Sequence, residues 1–286
     1  MLMNLLNTHP VDTSGLSPAD RHADRHLYRI PPVLLVVALL LWATQGYHCL
    51  FLGLNAVGRW IPDAFWQTMT EVGDARVSMT ILLLFAFRHP RLLPATLMAA
   101  VLATLAVQLT KHGLPVSRPA GVFPLEQLHI IGPTLTAGSF PSGHTATSGV
   151  LAAMLISISR QPWQRIGALM LLSLVGLSRV TVGAHWPIDT LIGAAIGILA
   201  GIAGLAMTER YRLGSHAWSQ WTLILFMLYA GIYTFFNAFP QNEVHHTLKF
   251  LGLVALTTYL YQLVGHLGFF EQAEDDVLPS AKGSLN

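Results

Sequence analysis

Three short stretches of the sequence combine residue types that suit acid-base and nucleophilic chemistry. They read KHGLPVSRP at 111–119, PSGH at 141–144 and SRVTVGAHWPID at 178–189. The candidates within them are three cations, two histidines, a serine, a glycine and a carboxylate. Polar and ionisable side chains at membrane depth are costly, on the order of a few kcal/mol each. Their concentration in three stretches therefore indicates a functional site.

The three cations, Lys111, Arg118 and Arg179, predict a site for an oxyanion. A lysine is a point charge, and each arginine presents a planar fork of hydrogen-bond donors. This combination suits a multiply charged group such as phosphate, which accepts several charge-assisted hydrogen bonds at once.

The PSGH stretch lies where a long apolar run begins. We expect Ser142, Gly143 and His144 to open a helix. The first backbone N–H groups of a helix have no partner within the helix, and the helix dipole is positive at that end. The Ser142 hydroxyl and the N–H groups near Gly143 are therefore predicted to bind the same phosphate as the three cations.

A nucleophile and a general acid are also present. His185 is followed four residues later by Asp189, and Pro187 between them fits the first turn of a helix. We expect the carboxylate to hold the imidazole in one tautomer and to support its positive charge. On this hypothesis His185 attacks phosphorus, while His144 protonates the leaving oxygen and later activates water.

The elements that must position these residues are membrane-length helices. The chain of 286 residues is 53% hydrophobic and only 10% charged, whereas soluble domains are about 25% charged. A bilayer core needs about 20 apolar residues per span, and such segments recur along the whole chain. We predict an all-α fold, a polytopic membrane helix bundle with spans at 33–53, 75–88, 92–110, 145–160, 164–183, 187–208, 217–237 and 247–268.

The distribution of basic residues predicts the orientation of this bundle. Arginine and lysine are more frequent in the segments that share a side with the amino terminus, and this marks that side as cytoplasmic. The loop at 111–141 and the turn near His185 then lie together on the outer face. We predict a cytoplasmic segment at 1–32, a six-helix catalytic core at 33–208, two additional transmembrane helices at 209–270 and a cytoplasmic tail at 271–286.

The three motifs together resemble the signature of the type 2 phosphatidic acid phosphatase (PAP2) family, which reads K-x6-RP, PSGH and SR-x5-H-x3-D. Every position of that signature is present, as Lys111, Arg118 and Pro119, then Pro141 to His144, then Ser178, Arg179, His185 and Asp189. The resemblance covers residues 55–205. It implies a six-helix core and metal-independent hydrolysis of a phosphomonoester or diphosphate, with His185 as the nucleophile and His144 as the acid.

The resemblance and the predicted orientation lead to a specific functional hypothesis. We expect a phosphatase of the bacterial inner membrane, embedded among membrane lipids, whose site faces the periplasm and acts on a lipid phosphate or diphosphate without metal or cofactor. Undecaprenyl diphosphate is the leading substrate, because an outward-facing site matches the place where it is released. Phosphatidic acid, phosphatidylglycerol phosphate and lipid A phosphates are alternatives, as is transfer of the phosphoryl group to another acceptor.

Other function classes fit the sequence less well. A net charge of +2 without a run of basic residues argues against nucleic acid as a partner. Three cations beside His144, His185 and Asp189 would repel a zinc or iron ion. A transporter of a phosphorylated solute predicts charges spread through the membrane depth, whereas the charges here collect near one boundary.

Two further patterns predict structure and no chemistry. Gly193, Gly197 and Gly201 recur at four-residue intervals in the sixth span, which favours the close approach of another helix. Aromatic residues among polar ones at 57–78 predict an amphipathic segment at the membrane interface.

Overall fold

The computed structural model describes residues 27–86, 88–213, 217–236 and 245–277, and the regular elements within these ranges are helices. The predicted all-α class is confirmed. The α-helices of the described ranges are α1 Ile30–Gln45, α2 Phe51–Val57, α3 Asp63–Val72, α4 Ala75–Ala86, α5 Leu92–Gly113, α6 Gly143–Ser157, α7 Pro162–Thr181, α8 Pro187–Tyr211, α9 Ala217–Phe236 and α10 His245–Val277. Most of the predicted cytoplasmic segment 1–32 and the end of the predicted tail 271–286 lie outside the described residues.

The first predicted span, 33–53, is wrong as a single helix. α1 ends at Gln45, and Gly46 follows with a positive φ of 81° and donates its N–H to the carbonyl of Trp42 at 3.0 Å. A residue without a Cβ adopts this backbone conformation readily. The chain turns at this glycine, and α2 begins only at Phe51. Tyr47 lies in the resulting turn, from which it contacts the site described below.

Two described helices, α5 and α8, are long and apolar enough to cross a bilayer. α1 and α4 are apolar but shorter. α6, predicted as a span at 145–160, has 15 residues, and most of them are buried within the protein. Its hydrophobic character thus reflects packing in the bundle as much as contact with lipid. The other predicted spans coincide with described helices and stay predictions as membrane crossings.

The glycine stripe of α8 brings this helix into backbone contact with α6. A Cβ on Gly193 would lie 2.4 Å from the carbonyl oxygen of Ser142, and one on Gly197 would lie 2.0 Å from that of Ala146. Such approaches are possible only without a side chain. The predicted packing role of the stripe is confirmed, and its effect is to fix the start of α6 against the start of α8, where the motif residues lie.

A Gly197→Ala variant is expected to lose about 2 kcal/mol or more of stability, because the added methyl group meets backbone that cannot move aside. Gly167→Ala is the matched control, since Gly167 lies in α7 with nothing within 4 Å of an added Cβ. Thermal unfolding of the two variants in detergent checks this. Equal midpoints for Gly197→Ala and the unmodified protein would show that α6 and α8 are not in such close contact.

α9 and α10 cover the side of the bundle formed by α4, whereas α3 packs mainly against α7. The predicted amphipathic segment contains α3, which places Trp66 in the interior and leaves Trp60, just before it, exposed. α9 and α10 both pack against α4, and Tyr259 of α10 joins the main hydrophobic core. α9 also contacts α5, the helix that ends at the first motif.

Candidate active site

Arg118 connects the first motif to the third. Its Nε donates to the carbonyl of Ala137 at 2.9 Å, and its Nη1 donates to the carbonyl of Ala184 at 3.0 Å. Lys111 Nζ donates to the carbonyl of Gly138 at 2.5 Å, and Arg118 Nη2 donates to the same oxygen at 3.3 Å. These bonds fold the long loop after α5 back onto the turn before α8.

The second motif joins the same cluster through its backbone. The N–H of Ser142 donates to the carbonyl of Asp189 at 3.1 Å. Ser142 is fully buried, and its hydroxyl caps α6 by accepting from the N–H of Thr145 at 3.4 Å and from the Thr145 hydroxyl at 2.9 Å. The predicted helix start is confirmed. Because the Ser142 hydroxyl serves as the cap, the backbone N–H groups of Gly143 and His144 are the better placed donors for an anion.

His185 and Asp189 form the predicted pair, and both are buried. The imidazole Nδ1 lies 3.3 Å from Asp189 Oδ2. The same carboxylate oxygen also accepts from the N–H of Trp186 at 3.1 Å and from the hydroxyl of Ser139, while the hydroxyl of Tyr47 donates to Oδ1. Four donors thus fix the two oxygens of Asp189.

This geometry sets the tautomer of His185. An ionised carboxylate only accepts hydrogen bonds, so Nδ1 carries the hydrogen and Nε2 keeps its lone pair. Burial lowers the pKa of the His185 imidazole, and the hydrogen bond with Asp189 only partly opposes this. His185 is therefore neutral near pH 7, as a nucleophilic nitrogen must be.

Tyr47 and Ser139 are site residues that sequence reasoning missed. Tyr47 was placed within a continuous first helix, and only the preceding glycine signalled a turn there. Ser139 lies just before PSGH but outside the motif. Burial, reinforced by the charge of Asp189, raises the pKa of the Tyr47 hydroxyl far above its usual value, so Tyr47 stays protonated and donates to the carboxylate.

A Tyr47→Phe variant is expected to lower kcat about tenfold with little change in KM, because Asp189 loses one of the bonds that orient it while phosphate contacts are kept. Tyr28→Phe is the control, since Tyr28 is 58% exposed and lies just before α1, at the end of that helix away from Tyr47. Steady-state kinetics with a phosphate monoester measures both. Equal kcat values for the two variants would remove Tyr47 from the account of the site.

Arg179 is the cation whose surroundings most clearly favour the binding of an anion. It lies at the end of α7, is 7% exposed, and its buried Nε has no hydrogen-bond partner among the described residues. Arg165 Nε shares this property, but it lies at the opposite end of α7, away from the histidines. Lys111, Arg118 and Arg179 are also close enough for their like charges to oppose one another. A bound phosphoryl group would accept a hydrogen bond from Arg179 Nε, and its negative charge would offset the repulsion among the three cations.

His144 lies in the same cluster as the second residue of α6. Gly73 packs against it so closely that a Cβ on Gly73 would lie 2.9 Å from the His144 Cβ. Burial, followed by the charges of Arg179, His185 and Arg118, lowers the pKa of its imidazole, and the charge of Asp74 opposes this shift. The structure thus places all eight predicted site residues at one end of the bundle formed by α5 to α8.

The three motifs lie in a segment that matches a known protein family. Residues 92–213 match the sequence model of the PAP2 superfamily, and this segment contains all eight predicted site residues. LpxE from Aquifex aeolicus, whose crystal structure is known, is 30% identical, and the match covers 50% of this chain and 85% of LpxE with a TM-score of 0.45. This segment of the chain belongs to the PAP2 superfamily.

Two curated proteins are similar to shorter parts of this PAP2 chain. Lipid A 1-phosphatase from Porphyromonas gingivalis is 44% identical over 75 residues, which are 26% of this chain and 17% of that protein. Undecaprenyl-diphosphatase from Sulfolobus acidocaldarius is 31% identical over 116 residues, which are 40% of this chain and 55% of that protein. The chain therefore spans less than two thirds of the length of either relative.

The PAP2 site adjoins a hydrophobic cavity. This space of about 190 Å³ lies between α4, α5 and α6. Gly143 lines one part of it, aliphatic residues such as Leu82, Val107 and Val150 line much of the rest, and Gln108 and four hydroxyl side chains contribute polar groups. An apolar group attached to a phosphate at the start of α6 can therefore be accommodated between the helices.

Proposed function

We propose that this protein is a metal-independent phosphatase that hydrolyses a lipid phosphate or diphosphate through a phosphohistidine at His185. The observation that carries the proposal is the buried pair of His185 and Asp189 beside three cations. One of these, Arg179, has an Nε without a hydrogen-bond partner in the part of the chain that the structure describes. An oriented neutral imidazole supplies a nucleophile, and the cations neutralise the oxygens of a phosphoryl group in the transition state.

The reaction proceeds in two displacements at phosphorus. In the first, Nε2 of His185 forms a bond to phosphorus while the bond from phosphorus to the leaving oxygen breaks, and His144 donates a proton to that oxygen. In the second, His144 takes a proton from water, the water oxygen bonds to phosphorus, and the phosphorus–nitrogen bond breaks. Inorganic phosphate leaves, and both histidines return to their starting protonation states.

The hydrophobic cavity supports a lipid substrate over a soluble phosphate ester. It borders Gly143 at the start of α6, and its lining is mainly aliphatic. Burial of an acyl or prenyl chain there contributes about 0.8 kcal/mol per CH₂ group. A soluble sugar phosphate would gain nothing from such a surface.

Undecaprenyl diphosphate is the leading substrate, and a lipid A phosphate is the second candidate. The similarity to an undecaprenyl-diphosphatase over 116 residues supports the first. The higher identity to a lipid A 1-phosphatase, over 75 residues, favours the second. Both substrates present a terminal phosphoryl group next to a long apolar moiety, so the same cation cluster and cavity serve either.

We further place the protein in the bacterial inner membrane with the site facing the periplasm. The excess of arginine and lysine on the side of the amino terminus supports this orientation. The catalytic core is residues 33–208, and residues 209–270 add two transmembrane helices to it. Residues 1–32 and 271–286 are the cytoplasmic segments of this arrangement.

The test is phosphate release by the purified protein in detergent from a panel of undecaprenyl diphosphate, lipid A 1-phosphate, phosphatidic acid and phosphatidylglycerol phosphate. We expect release from at least one lipid, inhibition by vanadate and no loss of rate in EDTA, with His185→Ala as the inactive control. Absence of release from every lipid contradicts the proposal, as does activity that EDTA abolishes and added metal restores.

Two other functions give different outcomes in the same system. A transporter takes up a phosphorylated solute into vesicles without releasing phosphate. A phosphotransferase consumes the lipid phosphate but delivers the phosphoryl group to a second lipid or a sugar. Hydrolysis in ¹⁸O-labelled water distinguishes our proposal from both, because one solvent oxygen must appear in each released phosphate.

A further inference from the structure

The turn between α3 and α4 is in close contact with α6 and α7, although it lies outside the segment that matches the PAP2 superfamily. A Cβ on Gly73 would lie 2.9 Å both from the His144 Cβ and from the Val175 Cγ1. One turn earlier, the hydroxyl of Thr70 lies 3.0 Å from that of Ser178. This turn therefore has a fixed position relative to His144.

Asp74 in this turn supplies a negative charge where His144 needs one. The groups that face His144 from α7 and from the loops are Arg179, Arg118 and His185, and positive charge on any of them opposes a protonated imidazole. The negative charge of Asp74, in contrast, favours the protonated imidazole of His144. Asp189 is already engaged with His185, so it serves the nucleophile instead of the acid.

Hydrogen bonds from Arg76 hold the Asp74 carboxylate in one orientation. Asp74 Oδ1 accepts from the backbone N–H of Arg76 at 2.9 Å and from its Nε at 2.8 Å, and Oδ2 accepts from Nη2 at 3.1 Å. Burial alone would raise the pKa of Asp74, but these bonds bring it below its usual value. The carboxylate is thus ionised near pH 7.

The C-terminal helices support this arrangement. The guanidinium of Arg76 lies 5.4 Å from the ring centroid of Tyr233 in α9, a distance at which a cation is attracted to an aromatic face. α9 and α10 pack against α4, which begins next to Asp74. Glu71 of α3 is the other carboxylate nearby, and burial, followed by the charge of Asp74, raises its pKa to about 7.

We propose that Asp74 is a positioning residue for His144, whose negative charge stabilises the protonated imidazole that delivers the proton to the leaving oxygen. Arg76 and α9 keep the carboxylate in place for this purpose. The inference rests on the proposed function, because it assigns Asp74 a part in the same reaction. It also gives the C-terminal helices, which lie outside the PAP2 match, a connection to the site.

The first readout is the dependence on the leaving group. Asp74→Asn removes the charge but keeps an oxygen that can accept from Arg76. We expect about a tenfold loss of kcat with a lipid phosphate, whose alkoxide leaving group needs a proton, and less than about a twofold loss with p-nitrophenyl phosphate, whose leaving group does not. Asp63→Asn, the same change at an exposed position of α3, should leave both rates unchanged.

The second readout does not require turnover. Diethyl pyrocarbonate modifies only neutral imidazole, so mass spectrometry of the peptide that contains His144 reports its protonation as a function of pH. In Asp74→Asn the pH of half-maximal modification should fall by about one unit, and Asp74→Glu should restore the original value. If Asp74→Asn does not fold, Asp74→Ser keeps a cap for α4 and removes the charge.

The outcomes separate this inference from the proposed function. An unchanged modification profile in the charge-removing variant overturns the role of Asp74, whatever the activity. A uniform loss of rate across leaving groups with an unchanged profile identifies a purely structural role and also overturns it. Failure of the unmodified protein to release phosphate from any lipid counts against the proposed function alone, because the modification profile still tests Asp74.

Discussion

Replacement of His185 by alanine is expected to reduce phosphate release from a lipid phosphate to about 10⁻⁴ of the original rate or less. The imidazole is buried, its Nδ1 faces Asp189, and its Nε2 is the nitrogen that remains for attack on phosphorus. No other group in the described site combines a neutral lone pair with an oriented carboxylate partner. Stopped assays with radiolabelled substrate measure residual activity over this range.

His246→Ala is the matched control, because His246 lies at the exposed start of α10. It should retain the original rate. The His185 variant should also fold normally, as judged by its unfolding midpoint, and should still bind vanadate through the cations. Retention of more than a few per cent of activity in His185→Ala would contradict the assignment of the nucleophile.

The second large effect is expected at Arg179. Arg179→Lys keeps the positive charge but removes the planar fork, and it should lower kcat/KM about 100-fold, while Arg179→Gln should lower it about 1000-fold. The reason is that this side chain is buried and that its Nε has no partner among the described residues, so we expect the phosphoryl group to accept its hydrogen bond. Vanadate inhibition should weaken in parallel, since vanadate resembles the transferred phosphoryl group.

Arg160→Lys is the matched control for this series. Arg160 is exposed just before α7, at the end opposite to Arg179. Its conservative replacement should leave kcat/KM and vanadate inhibition unchanged. If Arg179→Lys behaves like Arg160→Lys, the phosphoryl group is not bound by the guanidinium fork, and the cation cluster needs another explanation.

The residues of the three motifs could be predicted from the sequence because their chemistry is carried by type and spacing. Asp189 follows His185 by four residues, which brings two side chains to the same side of a helix start. Ser142 marks the start of α6 by its capping preference. The glycine stripe of α8 was also predictable, because four-residue spacing defines one helix face.

The residues that support the motifs could not be predicted, because their roles depend on tertiary contacts. Tyr47 reaches Asp189 across 142 positions of sequence, and nothing near Tyr47 signals its partner. Ser139 and Asp74 are short polar residues in turns, where serine and aspartate are common for local reasons. Only the packing of α3 and α4 on the start of α6 places Asp74 near His144.

The boundaries of the membrane helices were predictable where the chain itself marks them. α5 begins at the predicted residue and α8 begins at Pro187, a favoured first residue of a helix. The prediction of the first span is wrong because apolar residues flank the short polar stretch around Gly46 on both sides, whereas the helix ends there by backbone conformation. A high hydropathy is compatible with burial either in the bilayer or in the interior of the bundle, and it does not distinguish the two. The short and buried α6 is an example.

The most direct test of the account is the identification of the covalent intermediate. His144→Ala should form a phosphoenzyme from p-nitrophenyl phosphate, whose leaving group needs no proton, but should hydrolyse it slowly because no group activates water. Rapid quenching in alkali, where phosphohistidine is stable, followed by peptide mapping should place one phosphate on Nε2 of His185. Phosphate on any other residue, or phosphate release with no phosphoenzyme at any quench time, would contradict the proposed mechanism.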